Sequence, residues 1–490
     1  MPTEKEAGTE TKQALKSGKV SKANDSCFQP FWFAQAMEQE PPSTINVLTR
    51  DVQTDVCIVG GGYTGLWTAI NIKQQQPELD VVVIDKGLCG SGASGRNGGC
   101  MLTWSTKYLS MKKLYGEQEA IRLVQASEQA IFEIERFCQL HGIDAELRVD
   151  GTLYTATNAA QQGSMDPVLK ALDQHEINSW QQWQIDRVQQ DAGSDLPCEG
   201  YYSSAAASVQ PAKLARGLKR VAEKMGVVIY ENTPMEDINT DVPITITTPE
   251  ADIYAGKVVL ALNAWMMEKF PEFKRSVVLV SSDMAITAPV PEKLKVIGIN
   301  DGKTIVDSRI FVHYYRTTVD GRLMLGKGGN YFSFANKLSK VFDQPSRYTK
   351  ILRQSFNRLF PSLSQQSFDA TWTGASDRST TGLPFFGKMK QNANIYYGLG
   401  YSGNGVAQTW IGGKILSSMV LEQDNKWSRC GLTSGPKGQF PPEPIRWIGV
   451  MIVRDAIRRK EAAEDENKTP LWLDRQLAKF ANAAGKADKG

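Results

Sequence analysis

Two short apolar runs bracket a glycine-rich turn early in the chain. Residues 54–59 (TDVCIV) and 80–85 (DVVVID) read as buried strands, and between them Leu66, Ala69, Ile70 and Ile72 recur at helical spacing. The pattern predicts a β-α-β unit. Residues 117–140 set Ile121, Val124, Ile131, Ile134 and Phe137 on one face of a long amphipathic helix. Residues 148–157 (RVDGTLYTAT) alternate and open a second region as a strand. A helix over 213–225 leads into a strand over 226–230, and KVVLAL at 257–262 is another buried strand. From 275 to 328 the runs SVVLVSSDMAITAP, RIFVHYYRTT and GRLMLG predict an antiparallel sheet that turns at Asp320-Gly321. IYYGLG after Asn394 is a strand, followed by a glycine turn and a helix over 406–421. Order is expected to begin near Pro30, Phe31 and Trp32, after a polar tail that lacks aromatic clusters.

The turn between the first two strands is VGGGYTG, which places GxGxxG at Gly60, Gly62 and Gly65. The second strand ends in Asp85, 20 residues beyond Gly65. Each part has a physical task. Gly60 permits the tight turn, Gly62 lets the backbone approach a pyrophosphate, and Gly65 lets helix and strand pack closely. The helix N-terminus offers N–H donors and partial positive charge. Asp85 accepts from ribose hydroxyls. A dinucleotide is expected here.

Composition narrows the alternatives. Lys+Arg is 56 against 53 for Asp+Glu, a net charge of +3, which speaks against a nucleic-acid binder working through a broad basic surface. Three histidines leave no set for a histidine-built metal centre, so no metal is expected. The seven cysteines are scattered without a CxxC pair, which fits reduced thiols in a cytosolic protein. No secretory apolar core is seen near the start and no stretch approaches the roughly 20 apolar residues of a membrane span. The expectation is a cytoplasmic protein.

Beyond Asp85 lies a second glycine loop, GSGASGRNGG at 90–99, five glycines in ten residues. A backbone so bare can pack against a flat polar ring system. GGGYTG, the acidic strand end and GASGRNGG together resemble the D-amino-acid-oxidase/glycine-oxidase superfamily of FAD enzymes, above all its γ-glutamylputrescine and aminophosphonate oxidoreductase branch. PAKLAR at 211–216, LALNAW at 260–265, DGRL at 320–323, GLPFFG at 382–387 and GYSGNG at 400–405 follow in the expected order. The resemblance implies an α/β fold in which a glutathione-reductase-like, Rossmann-type FAD domain (residues 29–147, 203–272 and 369–430) is interleaved with an antiparallel-sheet substrate domain (148–202 and 273–368). Residues 1–28 are then a disordered tail and 431–490 a helical extension. It further implies non-covalent FAD. Gly60, Gly62, Gly65 and Asp85 would hold the ADP half; Ser94, Arg96, Asn97, Gly98 and Gly99 would line the flavin, and Val228 would meet the adenine. Gly403, Asn404 and Gly405 would open the last helix toward the flavin, and Tyr63, Thr64, Lys86, Asn263 and Val406 complete the cofactor-binding set.

In this chemistry a neutral amine gives a hydride to flavin N5, the imine hydrolyses to an aldehyde, and oxygen or an electron carrier takes the electrons. Amino-acid members of the superfamily hold the substrate carboxylate with Arg or Lys. The two positions that carry these cations in glycine-oxidase-like and sarcosine-oxidase-like members are Ser376 and Ala407 here, with Arg378 nearby as a substitute. A primary or N-substituted amine without an adjacent carboxylate is the expected substrate. His313, Tyr314 and Tyr315 present alternate side chains, either toward the flavin or into ordinary sheet packing. Lys327 falls near the oxygen-activating lysine of sarcosine-oxidase-like members, or is a surface lysine in a turn. Lys327, His313, Tyr315 and Arg378 are therefore the candidate catalytic residues. Oxidation of an amino acid or a 2-hydroxy acid, and a non-catalytic FAD-binding partner protein, are the competing functions. The basic-aromatic stretch 440–477, with Arg446, Trp447, Arg454, Arg458 and Arg459, is either a partner-docking element or a solvated packing helix.

Overall fold

A computed structural model describes residues 28–41, 44–484 and Asp488. The expected disordered tail lies, apart from Phe28, outside the described residues. The chain builds two large sheets. In the first, the strands run in the order Phe385–Lys388, Ile395–Leu399, Asp252–Leu260, Val52–Val59, Val81–Ile84 and Val228–Tyr230. Four parallel pairings join the last five of these, with Val59 opposite both Leu260 and Ile84. The near-continuous apolar runs read from the sequence follow from this: parallel strands covered on both faces bury every residue. Val56, Ile58, Val81 and Val83 face the helices Tyr63–Gln75, Pro211–Lys224 and Gln408–Val420. Their neighbours Cys57, Val59, Val82 and Ile84 face a second core with Met266, Phe273, Val277 and Leu279.

The second sheet runs Phe368–Ser379, Val277–Thr287, Leu323–Phe332, His313–Thr317, Thr304–Asp307, Thr152–Ala156, Glu199–Ser203 and Trp180–Gln182. Its pairings are antiparallel except between Thr304–Asp307 and Thr152–Ala156. The boundary expected at 368/369 is corrected here. Phe368–Ser379 is a long strand of the second sheet, in register with Val277–Thr287 from Val277 opposite Ser379 to Thr287 opposite Phe368. Its alternating pattern fits either sheet, and only the pairing partner decides between them.

Helices Ile445–Asp465 and Trp472–Ala478 fold back against this second sheet. Asp465 accepts from Asn158 and from Arg358, each at 2.9 Å, and pairs with Arg309. Glu461 accepts from the Ile310 N–H at 3.0 Å. The side chains of the stretch read as either a docking element or a packing helix make contacts within the chain. Arg446 donates to the Lys274 carbonyl and to Glu443, Trp447 to the Phe332 carbonyl, Arg458 to the Asn330 carbonyl and Arg459 to Asp474, while Arg454 pairs with Asp455. Among the described residues no helix is long and apolar enough to cross a membrane.

Asp465→Ala is expected to lower unfolding free energy by about 2 kcal/mol, because it leaves buried Arg309 and partly exposed Arg358 under-compensated. Denaturant unfolding checks this, and limited proteolysis should show earlier cleavage within 445–478.

Candidate active site

Between the two sheets lies a cavity of about 920 Å³. Its floor starts at the first glycine turn. A Cβ on Gly65 would stand 2.0 Å from the Gly60 carbonyl oxygen, so only glycine allows the helix Tyr63–Gln75 to begin this close to the strand end. The Tyr63 N–H in the first turn of that helix donates to Ser94 Oγ at 2.9 Å, and the Gly90 N–H donates to the Gly61 carbonyl at 3.0 Å, which joins the two glycine loops. The Asp85 carboxylate, at the cavity lining, accepts from the Gly61 and Gly87 N–H groups at 2.8 and 2.9 Å. Burial pushes its carboxyl up, and those two N–H groups pull against the rise. Lys86 Nζ sits 4.3 Å from the Trp265 ring centroid.

In the second glycine loop the side chains hold the loop and leave backbone to face the cavity. Arg96 donates to the Ser91 carbonyl at 2.9 Å and the Phe342 carbonyl at 2.6 Å, and pairs with Asp343 at 2.5 Å. Asn97 donates to the Ser94 carbonyl at 2.8 Å and accepts from the Gly99 N–H at 2.7 Å. A Cβ on Gly98 would meet the Tyr314 ring at 2.5 Å. Buried Arg316 donates to the Gly98 and Val209 carbonyls, each at 2.7 Å. Burial pulls its pKa down to about 10.

The third piece is the turn at 400–405. Buried Asp377 accepts the Gly400 N–H at 2.5 Å, and burial raises its pKa to about 6. Thr64 donates to the Tyr401 hydroxyl at 2.9 Å, which ties this turn to the first helix.

Gly60, Gly62, Tyr63, Thr64, Asp85, Lys86, Ser94, Arg96, Asn97, Gly98, Asn263, Gly403, Asn404, Gly405 and Val406 line the cavity, as does Arg378. Gly65 and Gly99 stand behind the lining. Val228 is misplaced in the expectation: it is 43% exposed on its strand, and the chain reaches the cavity farther on, at residues 232–236.

Three of the four candidate catalytic residues lie on the wrong face of the second sheet. Tyr314 and Gly328 line the cavity, so strand alternation turns His313, Tyr315 and Lys327 away. Tyr315 donates to the Ala192 carbonyl at 2.8 Å and packs against Phe360. His313 bonds Asp307 at 2.7 Å through Nδ1, and through Nε2 meets Ser355 Oγ at 2.9 Å and Lys327 Nζ at 3.0 Å. On the cavity side the Tyr314 hydroxyl bonds Ser282 Oγ at 2.8 Å. Ser281, Val306, Val312, Cys100 and Leu102 complete this end of the wall. Arg316, Asp377 and Met235 went unmarked in the sequence, and Trp265 stood there only as the end of LALNAW; each acts through a fold contact.

The family model described as FAD dependent oxidoreductase (DAO) matches residues 55–419. The chain belongs to this family. It is similar to "Probable oxidoreductase OrdL" of Haemophilus influenzae, 26% identical over 392 residues that cover 78% of this chain and 86% of the relative. It is also similar to γ-glutamylputrescine oxidoreductase of Escherichia coli, 26% identical over 80% of this chain and 88% of the relative. Among solved structures, glycine oxidase from Geobacillus kaustophilus superposes with a TM-score of 0.66 at 20% identity, over 79% of this chain and all of that one. This DAO-family chain is an FAD-dependent oxidoreductase with the mixed α/β fold of that family. The cavity fits the cofactor: bare backbone at both glycine loops, an acid at the strand end and a helix N-terminus at each end of the lining.

Two outcomes follow for this DAO-family enzyme. Gly65→Ala forces helix and turn apart at a cost on the order of 1–3 kcal/mol, so FAD affinity should fall by roughly 10- to 100-fold. The visible flavin absorbance of the purified protein reports it. The second concerns acid stability. Burial, with Lys327 adding to it, pulls His313 down to about 4. The unfolded chain takes up this proton near 6.5 and the folded one does not, so stability falls as pH drops from 6.5 toward 4. Although burial acts the other way, His313, Arg309 and Lys327 hold Asp307 at about 2, so a further loss follows between 3.8 and 2. His313→Gln removes the first loss, by roughly 2–3 kcal/mol at pH 4, and shrinks the second because His313 no longer helps to lower Asp307; denaturant melts across pH measure both.

Proposed function

We propose that the chain oxidises a primary or N-substituted amine, of the γ-glutamylputrescine or aminophosphonate kind, to an imine that hydrolyses to an aldehyde. Non-covalent FAD along the cavity supplies the two-electron oxidation, with oxygen or an electron carrier as the final acceptor. The observation that carries the substrate reading is Ser376. It lines the cavity where amino-acid members of the superfamily place a cation, and its buried hydroxyl has no hydrogen-bond partner. The second such position, Ala407, is fully buried and carries no charge. A carboxylate next to the reacting amine finds no fork at either place.

The remaining residues orient the amine. Tyr314, fixed by Ser282, stands over the Gly98 backbone, and the walls formed by Val306, Val312, Leu102 and Met284 exclude water from the reacting carbon. Arg378 lines the same end, beside Gly328, and is placed to meet an acidic group set apart from the amine. Burial lowers its pKa, with Tyr314 and Asp377 opposing, and an acidic substrate group would offset that cost. The family relationship and the name of the E. coli relative support the amine class. Six free cysteines among the described residues support a cytoplasmic setting.

Anaerobic bleaching of the bound flavin by a substrate panel tests the reading. Putrescine derivatives or aminophosphonates should bleach it faster than glycine, sarcosine or D-alanine, and 2-hydroxy acids should not bleach it. Faster bleaching by glycine or D-alanine would overturn the substrate class; bleaching by hydroxy acids, or by nothing in the panel, would overturn the activity. Ser376→Arg should raise kcat/KM for glycine roughly tenfold or more, the worth of one charge-assisted hydrogen bond.

A further inference from the structure

Four arginines are deeply buried among the described residues, and three of them face a carboxylate. Arg216 pairs with Glu40 at 2.7 Å and with Glu231 at 2.5 Å, Arg309 with Asp307 at 3.1 Å, and Arg446 with Glu443 at 2.5 Å. Arg316, 3% exposed, is held differently. Its Nε donates to the Gly98 carbonyl at 2.7 Å, Nη1 to the Thr317 carbonyl at 3.0 Å and Nη2 to the Val209 carbonyl at 2.7 Å. The Trp32 ring covers it, with its centroid 4.9 Å from Cζ. Carbonyl dipoles and a ring face orient a guanidinium without cancelling its charge. Of the groups within electrostatic reach, Glu146 is already paired with Lys213 at 2.6 Å, Cys100 and Tyr63 carry no charge while protonated, and Arg148 is a second cation. Burial draws the pKa of Arg316 down to about 10, so the charge is still present at neutral pH.

The position of this charge gives it a target. Arg316 follows Tyr314 by two residues on the strand His313–Thr317, so it shares the face that Tyr314 turns to the cavity. The guanidinium lies directly behind the second glycine loop. A Cβ on Gly99 would stand 2.5 Å from Nη2, and Gly98, whose carbonyl Arg316 holds, lines the cavity. A positive charge thus stands one peptide group behind the space that fits FAD. Two-electron reduction leaves negative charge on a flavin, and a fixed cation in a low-dielectric wall favours that form over the oxidised one. An isolated buried cation is costly, and reduction of the cofactor offsets part of that cost.

We propose that Arg316 is an electrostatic tuning residue: its charge, set behind Gly98 and Gly99, raises the reduction potential of the bound FAD and makes the chain a stronger acceptor of electrons from its substrate. The inference rests on FAD as the cofactor, and not on which amine the chain oxidises or which acceptor reoxidises it.

The test equilibrates the FAD-loaded full chain anaerobically with reference redox dyes, in the parent and in Arg316→Gln and Arg316→Lys. A unit charge acting across about 10 Å of protein shifts an equilibrium by roughly tenfold. Arg316→Gln can still donate to the Gly98 carbonyl but carries no charge. It should lower the equilibrium constant for two-electron reduction tenfold or more, a fall of about 30 mV or more. Arg316→Lys keeps the charge and gives up part of the hydrogen-bonding fork, and should stay within about threefold of the parent. The parent itself should lie above free FAD in the same buffer. Equal falls in both variants overturn the proposal, because the arginine would then do no more than hold the loop in shape. An unchanged potential in Arg316→Gln also overturns it. So does a parent potential at or below that of free FAD, a measurement that needs no variant to fold. The dyes need no amine turnover, so a failed substrate panel leaves this result standing.

Discussion

A side chain at position 65 would drive its Cβ to 2.0 Å from the Gly60 carbonyl, and much of the molecule is arranged around that close approach. It lets the helix Tyr63–Gln75 start directly on the end of the strand Val52–Val59. The first N–H groups of the helix, which have no acceptor within the helix, then lie at the cavity lining. Ser94 reaches back to the Tyr63 N–H, Thr64 reaches to Tyr401, and Asp85 closes over Gly61. Three stretches far apart in sequence are thereby anchored to one helix end. The glycines cluster in three stretches that all line the one cavity.

Bare backbone does not hold itself in place, and the side chains of the loops do that work. Arg96, Asn97, Arg316 and Asp377 all use their polar groups on main-chain atoms of the cofactor loops or of their supports. Two of them carry buried charge, with pKa values moved in the direction that burial dictates. The cost is tolerated because each accepts or donates several backbone hydrogen bonds. Such a site needs no histidine, and none of the cavity-lining residues is one.

How much of this was legible depended on whether the signal was local. The β-α-β unit, Asp85, the second glycine loop and the turn at 400–405 each carry their function in neighbouring residues, and each lies where the sequence put it. Strand parity was not local. FVHYYR offers two faces, and nothing within it says which one meets the flavin. The choice is made by pairing, with Tyr314 opposite Gly326 and His313 opposite Lys327, so that a bulky ring lies over a bare strand. Parity turns His313 and Tyr315 away together, and Lys327, paired with His313, goes with them. Val228 failed for a related reason: an exposed strand residue and a cavity-lining loop that begins four residues later look alike in a single sequence. The assignment of Phe368–Ser379 turned on a partner strand about a hundred residues away.

The residues that parity excluded from the cavity still bear on it. His313 and Lys327 join Asp307, Arg309 and Asp465 in a buried ionic cluster that fastens the helix Ile445–Asp465 to the back of the second sheet. Tyr314 lies between His313 and Tyr315 on one continuous strand. Its height over Gly98 is therefore set from behind, by the His313 bonds on one side and by the Tyr315 hydroxyl on Ala192 on the other. A strand cannot shift one face without shifting the other. The charged extension, outside the family match that ends at residue 419, is thus mechanically in series with the cavity wall that carries Tyr314.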